Sequence, residues 1–222
     1  MAAAGTFRTA VLHTRDVAAA ARFYQSIFGW RLDGERCLLR GQCAAAIKAA
    51  SLNTNLWVPY FVASDVFCGA LVDHTDPEGA VFGTCATNDP RAVTLTSGAG
   101  SIWWVEALTH KTAEAKAFYR EFFGWTFVDR APLDPHPLYI ICMRGVEQAA
   151  GILPIGPGWD RDARWQVLFE VDDLQASTSA VLDAGGTIDF GPLDVPSAAV
   201  ITSFHDPGGA LFFLAQPYKR AA

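Results

Sequence analysis

The stretch that decides the fold is Trp103–Trp125, which reads WWVEALTHKTAEAKAFYREFFGW. An earlier stretch, Arg8–Trp30, reads RTAVLHTRDVAAAARFYQSIFGW and aligns with it without a gap. Each predicts a strand, a helix and the start of a second strand, and each helix closes in Phe-Tyr-x-x-x-Phe-Gly-Trp. A repeat of this length indicates that the chain is a tandem duplication.

The repeat divides the 222 residues into two domains of about 100 residues each, a size that can bury a core. We expect an N-terminal domain over residues 1–92 and a C-terminal domain over residues 93–222. Each is predicted to pair two β-α-β-β-β units, which makes the fold class α+β. The segment Asp65–Asp76 is far shorter than its counterpart Asp173–Asp206, so the N-terminal domain is predicted to lack one helix and one hairpin strand.

The missing helix predicts a partly bare sheet face in the N-terminal domain, in the region of Tyr60, Phe61 and Phe67. Apolar surface left in water costs about 25 cal/mol per Å². We therefore expect the other domain or a second subunit to cover this face, which leaves a homodimer as an open alternative.

Charge and cysteine content exclude several classes of protein. The net charge of -6, with acidic and basic residues interspersed, argues against a nucleic-acid partner, because phosphate binding needs clustered cations. No apolar run is long enough for a membrane span and no signal peptide is visible, so a cytoplasmic protein is expected. The five cysteines lack Cys-x-x-Cys spacing and are predicted to be reduced core residues.

Two further motifs, Asp-Pro-x-Gly-Ala at Asp76–Ala80 and Asp206–Ala210, follow the two Phe-Gly-Trp segments. Together these motifs resemble the vicinal oxygen chelate superfamily, which includes glyoxalase I, bleomycin-resistance proteins and extradiol dioxygenases. The duplication resembles its two-domain, glyoxalase-like branch. The resemblance implies that paired β-α-β-β-β units form a cupped mixed sheet that holds the ligand, while the function has to be argued from the site.

The resemblance also says where a metal would be held, because metal-dependent members place ligands on the first strands and the last strand of a cup. In this sequence those positions fall on Trp104, Gln166 and Phe213 in the C-terminal domain, and on Thr9, Val58 and Gly83 in the N-terminal domain. A divalent metal needs about three convergent His or carboxylate ligands. We therefore predict a protein without a metal or any other cofactor.

Strand alternation assigns a set of side chains to the ligand side of the predicted cups. These are Thr9, Val11, His13, Val58, Tyr60, Val62, Trp104, Glu106, Leu108, Gln166, Leu168 and Phe213. Glu106 is either a general base with a raised pKa or a carboxylate satisfied by a neighbouring donor. His13 is either a proton shuttle or a residue of the rim. Gln166 is expected to hydrogen-bond the ligand.

The chain carries seven Trp, 15 Phe and five Tyr, and several of these rings fall on predicted cup strands. Flat rings in a cleft favour flat ligands. We predict binding of a hydrophobic polycyclic aromatic natural product of the anthracycline or polyketide type, in antibiotic self-resistance or as an accessory to a partner biosynthetic enzyme. One alternative is a metal-independent isomerase, cyclase or lyase that uses Glu106 or His13, and another is a metal-dependent lyase or dioxygenase.

Overall fold

The computed structural model describes residues 4–50, 54–130, 138–156 and 158–218. Within these ranges, fifteen strands form two mixed sheets, one of seven strands and one of eight, and three helices accompany them. This confirms the predicted α+β fold of tandem glyoxalase-like repeats.

The seven-stranded sheet is built from the first half of the sequence. Its elements are β1 (Phe7–Thr14), α1 (Val17–Phe28), β2 (Arg31–Asp33), β3 (Arg36–Leu39), β4 (Gln42–Ala49), β5 (Leu56–Val62), β6 (Leu71–Thr75) and β7 (Val81–Cys85). The strand order is β2-β3-β4-β1-β5-β7-β6. No helix separates β5 from β6 in the described residues, so the predicted loss of one helix and one hairpin strand is confirmed.

The eight-stranded sheet is built from the second half and has the complete set of elements. They are β8 (Ile102–Thr109), α2 (Thr112–Phe123), β9 (Thr126–Arg130), β10 (Tyr139–Arg144), β11 (Glu147–Pro154), β12 (Arg164–Glu170), α3 (Leu174–Asp183), β13 (Thr187–Val195), β14 (Ala199–His205) and β15 (Leu211–Pro217). The strand order is β13-β14-β15-β12-β8-β11-β10-β9, which places β8 and β12 at the centre.

The two repeated helices begin in different ways and end in the same way. Asp16 caps α1 conventionally, since its side chain accepts a hydrogen bond from the Ala19 backbone N–H. The residue before α2 is Lys111, which makes no side-chain cap. The carboxylate of Glu78 instead accepts the backbone N–H groups of His110 and Lys111. Both helices end at a glycine with positive φ, Gly29 and Gly124.

The chain forms two compact units, each assembled from segments distant in sequence. The first consists of the described residues of Met1–Arg8, Val58–Pro90 and Trp104–Gln166; the second consists of those of Thr9–Trp57, Arg91–Trp103 and Val167–Ala222. The boundary between residues 92 and 93 stays a prediction.

The first unit has an aromatic core around the Phe-Tyr-x-x-x-Phe-Gly-Trp motif of α2. Tyr119 donates its hydroxyl proton to Asp76 at 3.0 Å and accepts a hydrogen bond from Trp165 at 2.8 Å. The ring of Phe61 lies 5.3 Å from that of Trp125, whose indole N–H donates to the Gly5 carbonyl. The repeated motif is therefore used to tie an Asp-Pro turn and a strand to the helix.

The second unit repeats the same arrangement around α1. Tyr24 donates to Asp206 at 3.1 Å and accepts from Trp57 at 2.8 Å, while the indole of Trp30 donates to the Gly100 carbonyl. Burial raises the pKa of the Asp206 carboxyl, although backbone N–H donors and Tyr24 oppose that rise. Trp30 and Trp125 are almost completely buried, as expected of core residues.

The structure corrects the interpretation of the bare sheet face. Tyr60 and Phe61 are neighbours in β5, so their side chains leave opposite faces of the sheet. Phe61 is covered by rings from the second half of the sequence, including Phe123 and Trp165. Phe67 is not in a strand, because β6 begins only at Leu71, and it is 85% exposed.

The cysteines agree with the prediction except at one position. All five are free; Cys37, Cys43, Cys85 and Cys142 are buried, and Cys68 is exposed in the turn before β6. None of the three described helices is long and apolar enough to cross a membrane.

Candidate functional site

Four polar or aromatic side chains form a hydrogen-bonded cluster in the first compact unit. The indole Nε1 of Trp104 donates to the Tyr139 hydroxyl at 2.6 Å, and that hydroxyl donates to Glu106 Oε2, also at 2.6 Å. Gln166 Nε2 lies 3.4 Å from the other carboxylate oxygen, Glu106 Oε1. Glu106 and Gln166 are buried, whereas Trp104 and Tyr139 are half-buried. Aromatic rings thus flank a buried polar centre.

The sheet order explains how distant residues meet in this cluster. Trp104 and Glu106 are two positions apart on β8 and share a face, and Gln166 lies on the neighbouring strand β12. Tyr139 lies on β10, one strand beyond β11. It reaches Glu106 because Gly151, the residue of β11 that pairs with Glu106, has no side chain.

Gly151 is required by this arrangement. A Cβ atom at that position would lie 1.9 Å from the Tyr139 hydroxyl oxygen and 2.9 Å from Trp104 Nε1. A glycine inside a strand commonly marks such a close approach by another group.

Burial controls the electrostatics of the cluster. Desolvation raises the pKa of the Glu106 carboxyl, and the hydrogen bond from Tyr139 partly offsets this by stabilising the carboxylate. Burial and the adjacent Glu106 raise the pKa of the Tyr139 phenol well above its usual value. Among the described residues, Glu106 has no cationic partner. The carboxylate can therefore accept a hydrogen bond or a proton from a bound molecule.

The side chains at the positions where the resemblance implies metal ligands do not suit a divalent metal. Trp104, Gln166 and Phe213 offer an indole, an amide and a phenyl ring, while Thr9, Val58 and Gly83 offer one hydroxyl. Glu106 supplies a single carboxylate, already hydrogen-bonded to Tyr139. In the described ranges, no three His, Cys, Asp or Glu residues are grouped closely enough to hold a metal ion.

The residues predicted on the seven-stranded sheet are almost all buried. Tyr60 is completely buried, and its hydroxyl donates to Asp73 on β6. Its ring lies over Gly83, where a Cβ atom would be only 2.1 Å from Tyr60 Cε1. A ligand could stack on Tyr60 only after this ring had moved. Thr9, Val11, Val58 and Val62 are buried as well, and His13 is half-buried beside Lys48 in the strand register.

The remaining predicted residues belong to the eight-stranded sheet. Leu108 is buried on β8 in the first unit. Leu168 and Phe213 are both buried and pair with each other across β12 and β15 in the second unit. The assignment of all twelve predicted residues to a ligand site stays a prediction, and the structure brings Trp104, Glu106 and Gln166 together.

Sequence reasoning missed Tyr139 and Gly151. Tyr139 is 33 positions from Glu106 in the chain, so no local pattern connects the two residues. A signal was present in Gly151, which interrupts the apolar run Ala149–Leu153. That glycine indicates a close approach without naming the side chain that makes it.

Comparison with known proteins connects the whole chain with relatives. The chain is 29% identical to "Putative glyoxylase CFP32" of Mycobacterium tuberculosis, with 96% of this chain and 95% of that protein covered. It is 24% identical to "Anthracycline biosynthesis protein DauV" of Streptomyces sp. strain C5, with 95% and 94% covered.

The fold is similar to that of the Mn(II)-bound glyoxalase from Novosphingobium aromaticivorans. The TM-score is 0.59 at 13% sequence identity, with 97% of this chain and 83% of that chain covered. Residues 101–214 match the sequence family described as the Glyoxalase/Bleomycin resistance protein/Dioxygenase superfamily. This match spans half of the chain and includes every residue of the hydrogen-bonded cluster, so the protein belongs to the Glyoxalase/Bleomycin resistance protein/Dioxygenase superfamily.

Proposed function

We propose that this protein binds a hydrophobic, planar, polycyclic aromatic molecule of the anthracycline or polyketide type without converting it. The ligand lies on the sheet face that carries Trp104, Glu106 and Gln166. The observation that carries the proposal is the pair of half-buried rings, Trp104 and Tyr139, next to the buried polar pair Glu106 and Gln166. Aromatic surface around a few fixed polar groups is the usual composition of a small-molecule site.

Two further observations support the choice of face and ligand class. On the seven-stranded sheet, the ring of Tyr60 fills the space above Gly83, whereas Trp104 and Tyr139 keep part of their surface exposed. A relative that aligns over nearly its whole length is named for anthracycline biosynthesis. That name favours a role as accessory to a biosynthetic enzyme, with self-resistance through sequestration as the other role for such a binder.

The binding proposal is tested by titrating the purified protein with an anthracycline aglycone and following tryptophan fluorescence. We expect saturable quenching, weakened about tenfold or more in Trp104→Leu, because the variant loses a stacking ring. Trp159→Leu is the matched control, since Trp159 is a half-exposed tryptophan of a loop in the same unit. Equal effects of the two substitutions, or quenching that never saturates, would contradict the proposal.

A second candidate function is supported by the environment of Glu106. A buried carboxylate with a raised pKa, hydrogen-bonded to a phenol, is the type of group that removes or returns a proton. Such an enzyme would be a metal-independent isomerase, cyclase or lyase acting on a similar ligand. Turnover that survives treatment with a chelator and is lost in Glu106→Gln would favour this candidate over simple binding.

A further inference from the structure

The two oxygens of the buried Glu106 carboxylate are satisfied unequally. Oε2 accepts a short hydrogen bond of 2.6 Å from the Tyr139 hydroxyl. Within the described ranges, the one donor to Oε1 is the Gln166 amide at 3.4 Å, which is longer than the usual range of about 2.7–3.2 Å for N–H···O bonds. A buried acceptor that lacks a good donor is costly to the free protein. Oε1 is therefore the atom of this cluster that gains most from a donor supplied by a ligand.

Gln166 places a donor beside that acceptor. Its Nε2 carries two N–H groups, and in the described residues the single hydrogen bond of this amide nitrogen is the long one to Glu106. An acceptor and a donor about one hydrogen-bond length apart match a ligand that carries a hydroxyl and a carbonyl at the same spacing.

We infer that the ligand is an aromatic hydroxy-carbonyl compound whose hydroxyl donates to Glu106 Oε1 while its neighbouring carbonyl accepts from Gln166 Nε2. This inference rests on the proposed function and specifies the chemistry that selects the ligand. No covalent bond is formed or broken: the ligand hydroxyl exchanges its internal hydrogen bond to the neighbouring carbonyl for one to Glu106 Oε1, and Gln166 Nε2 takes its place as the donor to that carbonyl. Ortho-acyl phenols and quinones with an adjacent ring hydroxyl are the class that carries this pair of groups.

Tyr139 is the positioning residue for this recognition. By donating to Oε2 while it accepts from Trp104, it fixes the orientation of the carboxylate and leaves Oε1 directed away from itself. Removing the phenol should therefore lower the preference for a hydroxylated ligand more than it lowers affinity in general. A merely structural role for Tyr139 would change the affinities for all ligands together.

The test compares three probes of nearly equal shape: anthraquinone, 1-hydroxyanthraquinone and 1-methoxyanthraquinone. All three carry the carbonyl, and only the second can donate a hydrogen bond. For the wild-type protein we expect 1-hydroxyanthraquinone to bind about threefold to tenfold more tightly than the other two, because a hydrogen bond to a charged acceptor is gained while the internal hydrogen bond of the probe is lost. Because this selectivity is measured on the unaltered protein, it does not depend on the folding of any variant.

Variants then assign the selectivity to particular atoms. In Glu106→Leu the ratio of affinities between the hydroxylated and methoxylated probes should fall to about one, and in Tyr139→Phe it should fall several-fold. In Gln166→Met all three probes should bind more weakly. Gln148→Met is the matched control for the last change, because Gln148 is an exposed glutamine of β11.

The outcomes separate the two proposals. Equal affinities of the three probes for the wild-type protein would overturn the inference and leave the proposed binding function standing. Absence of saturable binding for all of them would overturn both. Selectivity that persists unchanged in Glu106→Leu would show that a group other than Glu106 accepts the hydrogen bond of the ligand hydroxyl, which also overturns the inference.

Discussion

Glu106 is buried near the middle of β8, and its closest hydrogen-bond partner is the phenol of Tyr139 rather than a cation. Removal from water makes its ionised form costly, so the pKa of the Glu106 carboxyl in the folded protein rises above the usual value of 4.5. The folded state then holds the proton more tightly than the unfolded chain. Stability from this group is complete below pH 4.5 and is lost as the pH rises through the folded-state pKa.

This predicts a pH-dependent difference between the wild-type protein and Glu106→Gln, whose amide does not titrate. The free energy of unfolding of the wild type, relative to the variant, should be highest below about pH 4.5 and should decline as the pH is raised. Groups common to both proteins, such as Asp206, cancel in this difference. Chemical denaturation at several pH values measures it, and a flat difference or one of opposite slope would refute the assignment.

Gly151→Ala is predicted to destabilise the protein and to break the contact between Tyr139 and Glu106. The new Cβ would stand 1.9 Å from the Tyr139 hydroxyl oxygen, so the phenol has to move. Overpacking of this kind costs about 1–3 kcal/mol in the free energy of unfolding. The matched control is Gly156→Ala, where the described part of the chain, apart from the adjoining residues, has no atom within 4 Å of the added carbon. Equal stability of the two variants, measured by chemical denaturation, would mean that Tyr139 is not held as described.

At the scale of single residues, the sequence predicted which side chains of two neighbouring strands share a face. It did not predict a side chain that arrives from a strand farther away. Alternation along β8 and β12 was enough to place Trp104, Glu106 and Gln166 on one face. Tyr139 comes from β10, and its arrival depends on the length of a phenol that spans β11 at Gly151. Such a reach across a strand depends on three-dimensional register, which the sequence pattern does not carry.

Among the elements, each repeated helix makes a hydrogen bond to a turn that its own sequence does not identify. The tyrosine of each Phe-Tyr-x-x-x-Phe-Gly-Trp motif bonds to the aspartate of an Asp-Pro turn that lies far away in the chain: Tyr119 to Asp76, and Tyr24 to Asp206. The repeat and its helix ends could be recognised from periodicity and glycine. The partners could not, since each compact unit combines segments from both halves of the sequence.

Tyr119→Phe tests this link between helix and turn. The change leaves the Trp165 N–H without its acceptor and removes one donor from Asp76 inside the core, at an expected cost of about 1–3 kcal/mol in the free energy of unfolding. Tyr218→Phe is the same chemical change at an exposed tyrosine that donates to Asp194, and it should cost less than about 0.5 kcal/mol. Similar losses in thermal denaturation of the two variants would contradict the role given to Tyr119.

The start of α2 shows a second limit at the level of elements. A lysine in the cap position gives no sequence signal for a helix start, yet Glu78 from the β6–β7 turn holds this end in place by accepting the backbone N–H groups of His110 and Lys111, the two residues before the helix. Prediction of the helix succeeded here because the apolar periodicity was strong. The sequence carried no signal for the contact with Glu78, because Glu78 comes from a different segment of the chain.

For the whole molecule, the missing helix and strand of the first half are the main departure from exact duplication. The spacing of Asp65 and Asp76 predicted the deletion, and it left open whether the other domain or a second subunit covers the sheet face. Rings of the second half, among them Phe123 and Trp165, pack on Phe61. Superfamily membership establishes the fold, whereas function depends on the few side chains placed on it.

The metal-dependent alternative makes a prediction about the intact protein. If the chain bound zinc, iron or manganese as a lyase or dioxygenase, elemental analysis of the purified protein would find about one metal ion per chain. The donor set of an indole, an amide and a phenyl ring predicts much less than that. A stoichiometric metal that is removed by a chelator together with an activity would reject the assignment of this site.

The central claim is that one sheet face, marked by Trp104 and Glu106, holds one planar aromatic molecule. Calorimetric titration of the protein with 1-hydroxyanthraquinone tests it most directly, because heat reports stoichiometry as well as affinity. The account predicts saturation at one molecule per chain, with affinity reduced at least tenfold in Trp104→Leu and unchanged in Trp159→Leu. Saturation at two molecules per chain, or no saturable heat, would contradict it.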